Sequence, residues 1–356
     1  MKAVFIITHI PFWRSCSGDK ARLLALVNFL NKRTRLTIGF IGDKDEFEPR
    51  DELRVIYFNR SIGGGLDGLV NSIRNFVLSD KCDVCIIEYA FLSFLLPAFP
   101  AGVVKILDTH DIVSQRKQSF KSFGARSDDI TDLTEREEFG FFGKYDYVMA
   151  IKPADHEKIA GVAGAGRVIL VPHPAIGKRQ PVRDVVTCIG FVASNYFPNV
   201  DAIKWFLDRV WPNLWDLPVK LKIFGSVCND IDTRDSRNIE KMGIVDDVEE
   251  IYSGIDVVIN PVRFGGGLKI KNVEALAYGL PLVTTMHGAK GLEEVANVAF
   301  LIADEPQPFA FHIRALVQDR VLRWRVGEAA YDYARAYLSP EKCFGPLLSV
   351  INTIYC

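Results

Sequence analysis

Short, uninterrupted apolar runs recur along this 356-residue chain with helical patterns between them, and that alternation fixes the class of fold. "AVFIIT" (3–8), "LTIGFIG" (36–42), "RVIYF" (54–58), "VCIIEY" (84–89), "VVKILDTH" (103–110), "YDYVMAI" (145–151) and "RVILVPH" (167–173) read as strands of the first half. A strand that is apolar at every position must be covered on both faces, which means a parallel sheet wrapped by helices. Helices are expected from Asp19 to about Lys32, with Asp19 as N-cap, over 66–78, and as a charged helix near 128–143. The second half repeats the scheme with "VVTCIGFV" (185–192), a helix from about Asn199 to Leu214, "LKIFGS", "IDVVINP", a helix over 268–279, "LPLVTT" and "AFLIAD". Two or three helices then run to the end.

This length suits two domains of about 150–200 residues each. The polar segment "PAIGKRQPVRD", with Pro174 and Pro181, is the expected linker. The expected domains are 1–174 and 182–335, with a final helix in 336–356 packing back toward the first domain. The fold class is therefore α/β, two Rossmann-like doubly wound domains facing across a cleft. Ligands of such sheets bind beyond the carboxyl ends of the strands, so the loops there are the places to search.

The formal net charge of −1 supplies no global field for nucleic acid or an anionic membrane. Anion recognition has to be local. Seven cysteines without a repeating spacing fit a reducing compartment. Cys82-x-x-Cys85 sits at the start of a buried strand with no second pair at zinc spacing, and is read as packing. "MKAVFIITHIPFW" reads as a first strand rather than a signal peptide. The most apolar stretch, 89–107, is divided by Pro97, Pro100 and Gly102 into helix, turn and strand.

One segment joins these elements to a chemistry. In "NPVRFGGGLKIKNVEALAYGLPLVTT" (260–285), three glycines lie between the end of a buried strand and the first turn of a helix that ends at Gly279. Free N–H groups and the positive end of the helix dipole face that loop, and Lys269 and Lys271 add full charge. Glu274, one turn further in, suits paired hydroxyls as a double acceptor. An ordinary glycine turn followed by solvent-facing lysines fits the same residues. It is neither a Walker A loop nor a dinucleotide-binding turn.

The residues of this segment resemble the donor site of retaining glycosyltransferases of the GT-B fold, in glycosyltransferase family 4 (group 1). Residues 189–214, "LKIFGS", "GIVDDVEEIYSGIDVVINP" and "GAKGL" (288–292) follow the family in order. "SGDKARLLALVNFL" and "ILDTHDIVSQR" are similar to its first-domain segments. The resemblance implies a nucleotide-diphosphate donor such as a UDP- or GDP-sugar, no obligatory metal, and a hydroxyl of a saccharide or lipid-linked acceptor. It further implies surface polysaccharide or lipopolysaccharide synthesis in the cytoplasm, with peripheral contact at the inner face of the membrane as an option, and no nucleic acid partner.

By the same resemblance, Lys269 and Lys271 lie at the diphosphate, Glu274 holds the ribose, and Gly265, Gly266, Gly267 and Leu268 face sugar and phosphates. Gly18 offers N–H groups, His110 approaches the donor sugar, and Ser194, Asn195, Gly225 and Arg263 complete the donor site. His110, Lys269 and Lys271 are the implied catalytic residues.

Two departures stand out. Gly266 occupies the position where many members carry a first glutamate, and Ser194-Asn195 stands where an arginine is common. His9 is a candidate to line the cleft, and His173 is read as structural. Asp43-x-Asp45 and Asp230-x-Asp232 match the D-x-D of the other glycosyltransferase fold but are read as solvated loops, and Glu135, Glu137 and Glu138 as a solvated helix face. Alternatives are a nucleotide-sugar epimerase of similar fold and a non-catalytic interaction subunit. A dinucleotide oxidoreductase would need a G-x-G-x-x-G turn that "FIITHIPFWRSCSG" lacks.

Overall fold

The computed structural model describes residues 1–13, 17–42, 53–59, 65–126, 133–233 and 238–354. The chain forms two compact units, one from residues 1–14, 19–172 and 343–356 and the other from 15–18 and 173–342. Among the described residues no helix is long and apolar enough to cross a membrane.

The first unit runs β1 (Ala3–Thr8), α1 (Gly18–Asn31), β2 (Arg35–Ile41), β3 (Val55–Phe58), α2 (Gly65–Asp80), β4 (Val84–Glu88), β5 (Val104–Asp108), α3 (Val113–Ser122), α4 (Glu135–Phe142), β6 (Tyr147–Ala150), α5 (Pro153–Ala163) and β7 (Val168–Leu170). All seven strands are parallel, in the order β3-β2-β1-β4-β5-β6-β7. Every residue of β1 and β4 is buried, as expected for strands covered on both faces. Cys82 and Cys85 are buried free thiols, and burial pushes Cys82 up to about 11, away from thiolate chemistry.

The second unit runs β8 (Cys188–Val192), α6 (Phe197–Trp205), β9 (Lys220–Phe224), β10 (Ile239–Gly243), α7 (Val248–Ser253), β11 (Val257–Asn260), α8 (Ile270–Ala277), β12 (Leu282–Thr284), β13 (Leu301–Ile302), α9 (Pro306–Gln318) and α10 (Arg320–Tyr337). Its six parallel strands follow the order β10-β9-β8-β11-β12-β13. The final helix, α11 (Pro340–Thr353), sends Phe344 against Phe29 of the first unit's own core.

Several local expectations change. α1 starts at Gly18, so Asp19 lies inside the first turn and is not the N-cap. The helix expected over 199–214 begins at Phe197 and leaves α geometry at Phe206, passing through a π turn to Val210 and a 3₁₀ turn over Trp211–Leu214. Pro212, lacking an N–H, cannot extend the α ladder there. α3 carries few apolar residues and announces itself weakly. Its cap comes from another helix: the Glu138 carboxylate accepts from the N–H groups of Val113 (2.7 Å) and Ser114 (2.8 Å). Glu138 is therefore fully buried and not part of a solvated face, while Glu137 forms an exposed capping box with Thr134.

The segment 174–184 has no regular secondary structure but is not a free tether. Ala175 N–H donates to Leu338 O (3.0 Å) and Gln180 N–H to Tyr278 O (2.9 Å) within the second unit. Asp230 and Asp232 are exposed, and Asp43 and Asp45 lie outside the described residues.

The first unit hangs on a buried ion pair. Arg22 of α1, 1 % exposed, grips Asp108 at the end of β5 through Nε (3.1 Å) and Nη2 (3.0 Å), and donates Nη1 to Val171 O (3.0 Å). Replacing Arg22 by leucine leaves a buried carboxylate without its cation and is expected to cost about 3–5 kcal/mol. Urea unfolding monitored by circular dichroism measures it.

Candidate functional site

In the second sheet the strand order reverses between β8 and β11, the place where loops at the strands' carboxyl ends diverge in sheets of this kind. Ser194 and Asn195 follow β8, and the glycine loop follows β11. Gly265 (φ 119°) and Gly267 (φ 68°) both occupy the left-handed region, which explains glycine at these two places. Lys269 is the N-cap residue of α8. Its Nζ turns back to donate to Gly266 O (2.8 Å) and Gly267 O (3.3 Å), so the ammonium pins the loop. Leu268 is buried beneath. At the far end Gly279 (φ 66°) closes α8: its N–H donates to Leu276 O and Leu280 N–H to Ala275 O, both at 3.0 Å, a Schellman stop.

Lys271 and Glu274 face a half-buried environment rather than open solvent. Lys271 Nζ donates to Asn199 Oδ1 (2.7 Å) and lies 4.9 Å from the centroid of the Phe191 ring. Asn199 Nδ2 in turn donates to Ser194 O (3.1 Å) and Oγ (3.3 Å), which ties the loop after β8 to α8. Glu274 Oε2 accepts from the buried hydroxyl of Tyr252 (2.8 Å), whose ring stacks on Tyr278 at 5.0 Å. Loss of water pushes Lys271 down to about 7 against the pull of Glu274, and pushes Glu274 up to about 7 against Tyr252 and Lys271.

Gly225 (φ 96°) follows β9, where a Cβ would stand 2.1 Å from Ala193 O. Ser226 Oγ, beside it, accepts from Asn195 N–H (3.0 Å). Ser194, Asn195, Gly225, Lys271 and Glu274 thus fall on one connected edge. Arg263 forks on Asp201 (2.8 and 2.9 Å) above the Trp205 ring, lining a recess of about 350 Å³ beside α6.

A second support was not legible in the spacing. Asn260, ending β11, donates Nδ2 to Asn272 Oδ1 (2.8 Å), and Asn272 donates Nδ2 to Gly288 O (2.9 Å). Both asparagines are fully buried, and Gly288 N–H donates to Thr285 Oγ1 (2.8 Å). These bonds lock α8 to the loops after β11 and β12. A polar residue closing the run "VVIN" was the available signal.

In the first sheet the reversal lies between β1 and β4. His9 follows β1, and its ring meets Phe91 edge-on at 5.0 Å. Gly18 opens α1, and His173 is buried. His110, after β5, is 6 % exposed and bonds through Nε2 to Oε2 of Glu88, the last residue of β4. Its ring stacks on Tyr89 (4.3 Å, 15°), which stacks on Phe91. Tyr89 (φ 68°) and His110 (φ 55°) both hold left-handed backbone, unusual for such side chains. Burial drives His110 down, but Asp108 and Glu88 outweigh it and hold the imidazole above its usual range. Burial and the neighbouring Asp108 push Glu88 up. Asp108 resists burial through Arg22 and His110 and stays below the carboxylate range. Glu88, Asp108 and His110 bring ligand-type atoms within 4.8 Å of one another. Arg22 already occupies both oxygens of Asp108, a fixed positive charge where a cation would have to enter, so the cluster reads as an ion-pair network.

Residues 186–319, within the second unit, match the family model described as "Glycosyl transferases group 1". A 136-residue stretch is 27% identical to an "Uncharacterized 44.6 kDa protein in cps region" of Klebsiella pneumoniae, covering 35% of this chain and 35% of that protein. The match therefore spans about a third of the relative's length. Among solved structures, Anabaena HepE in complex with UDP and glucose superposes with a TM-score of 0.73 at 15% identity, over 99% of this chain and 100% of that one. The lipopolysaccharide outer core galactosyltransferase WaaB, in its apo form, superposes with a TM-score of 0.70 at 14% identity, over 100% of both chains. At such identities the likeness speaks for the fold, which is GT-B.

The Lys271–Glu274 pair has a pH signature. Glu274, raised from 4.5 to about 7, contributes stability that is present below 4.5 and lost as pH rises through about 7. Lys271, lowered from 10.5 to about 7, contributes stability that is present above 10.5 and lost as pH falls through about 7. The pair's contribution is thus smallest near neutrality. Comparing urea midpoints of the wild type with those of a Lys271→Met/Glu274→Gln variant across pH should show the difference least favourable to the wild type near pH 7.

Proposed function

We propose that this protein is a retaining glycosyltransferase, moving a hexose from a UDP- or GDP-sugar to a hydroxyl of a saccharide or lipid-linked acceptor. The observation that carries this reading is the arrangement around α8. A loop with two left-handed glycines, the N-terminal turn of the helix, two lysines and a half-buried Glu274 meet at the switch point of a parallel sheet. Such an edge suits a diphosphate next to a ribose.

Cleaving a sugar–diphosphate bond builds negative charge on the leaving phosphate and oxocarbenium character on the sugar. Backbone N–H groups of 265–268 and the ammonium groups of Lys269 and Lys271 stabilise the leaving group. Glu274, held by Tyr252, takes the ribose hydroxyls, and Gly266 leaves the sugar to backbone contacts where a carboxylate is absent. Front-side attack by the acceptor hydroxyl, with its proton passing to the departing phosphate, gives retention and requires no protein nucleophile. As the resemblance implies, His110 is assigned to the donor sugar and the Gly18 N–H to the phosphate. Ser194, Asn195 and Gly225 shape the donor's surroundings, and Arg263 braces that edge through Asp201. The chemistry relies on these groups and not on an obligatory metal. The WaaB likeness and the relative from a cps region support a role in surface polysaccharide or lipopolysaccharide synthesis, with a cytoplasmic enzyme working beside the membrane.

Thermal-shift titration of the full chain with UDP, GDP and their sugars should raise the melting temperature. No shift at millimolar concentration with any of them would overturn the reading. Product formed with saccharide acceptors should keep the donor's anomeric configuration by proton NMR. Lys269→Ala and Lys271→Ala should each lower kcat by about 10²–10³.

Binding of UDP should also recharge Lys271. At pH 8, calorimetry in buffers of different ionisation enthalpy should report uptake of up to about one proton, and Lys271→Met should abolish it.

A further inference from the structure

We propose that Glu88 is a positioning residue for His110: it accepts a hydrogen bond from the Nε2–H, fixes the ring, and makes Nδ1 the nitrogen offered to a substrate. Glu88 is 0 % exposed at the end of a fully buried strand, a costly place for a carboxylate. The Arg22 charge favours this carboxylate from nearby but makes no hydrogen bond to it. Arg22 spends Nε and Nη2 on Asp108 and Nη1 on Val171 O. The hydrogen bond of Glu88 goes to His110, and its other oxygen, Oε1, has no hydrogen-bond partner.

The backbone points the same way. Tyr89, directly after Glu88, and His110 both adopt left-handed φ, and their rings stack at 4.3 Å. Two strained residues held face to face indicate an imidazole whose orientation matters more than its packing. A carboxylate behind one ring nitrogen sets which nitrogen carries the proton and which faces outward.

The groups facing the ring are Glu88 from β4, Asp108 from β5, Arg22 from α1 and the stacked Tyr89. The carboxylates favour the imidazolium, while Arg22 and burial oppose it. Removing the Glu88 charge must therefore lower the proton affinity of His110. Use of this ring in sugar transfer rests on the glycosyltransferase reading, whereas its orientation by Glu88 does not.

Nitrogen-15 histidine NMR on the full chain, with the His110 signals assigned by their loss in His110→Gln, tests the inference. In the unaltered protein the neutral ring should carry its proton on Nε2, a measurement that needs no second variant to fold. A proton on Nδ1 would overturn the proposal. Glu88→Gln should lower the titration midpoint of His110 by about one pH unit, a tenfold loss of proton affinity. The same shift should appear in the pH profile of kcat with the donor sugar that the thermal-shift screen identifies, with KM little changed. An unmoved midpoint in folded Glu88→Gln would sink the proposal. A moved midpoint in a protein that binds no UDP- or GDP-sugar would uphold the positioning and remove the glycosyltransferase reading instead.

Discussion

Reversal of strand order is the constraint on which each candidate site depends. A parallel strand must hand its chain to a helix, and neighbouring strands usually send their connections the same way round. Where the order turns, between β1 and β4 in one sheet and β8 and β11 in the other, the departing loops separate. His9 and Tyr89 stand at the first point, with His110 just past the end of the next strand, β5, and Ser194 and the glycine loop stand at the second.

A gap between loops is not yet a site, because loops left to themselves would vary. Here they are tied by buried polar bonds that are expensive to leave half made. Asn260 and Asn272 join a strand end to α8, and Asn272 reaches Gly288. Lys271, through Asn199, joins α8 to the loop after β8. In the first unit Arg22 plays the corresponding part, holding Asp108 and so the end of β5.

The fold class was legible because fully buried parallel strands leave an unambiguous mark, as in "AVFIIT" and "VCIIEY". Helix 268–279 was equally plain, since its glycine stop and apolar face agree. What escaped was set by distant partners. α3 has a polar sequence, and its cap is Glu138, which local pattern alone assigns to solvent. Spacing cannot reveal that Tyr252 meets Glu274, or that Glu88 meets His110, because each bond joins residues 22 positions apart on different elements. Arg263 adds a pairing that spacing could not supply either: its guanidinium forks on Asp201, 62 positions away.

The bonds from Lys269 to the carbonyls of Gly266 and Gly267 bear on how any anion would be received there. An arriving anion meets an ammonium that already has oxygen partners, so its capture is an exchange and not an addition. The net gain is correspondingly small, as for hydrogen bonds traded against water. Departure is eased by the same amount, because the lysine has somewhere to return. A catch of this kind favours turnover over retention of a spent ligand.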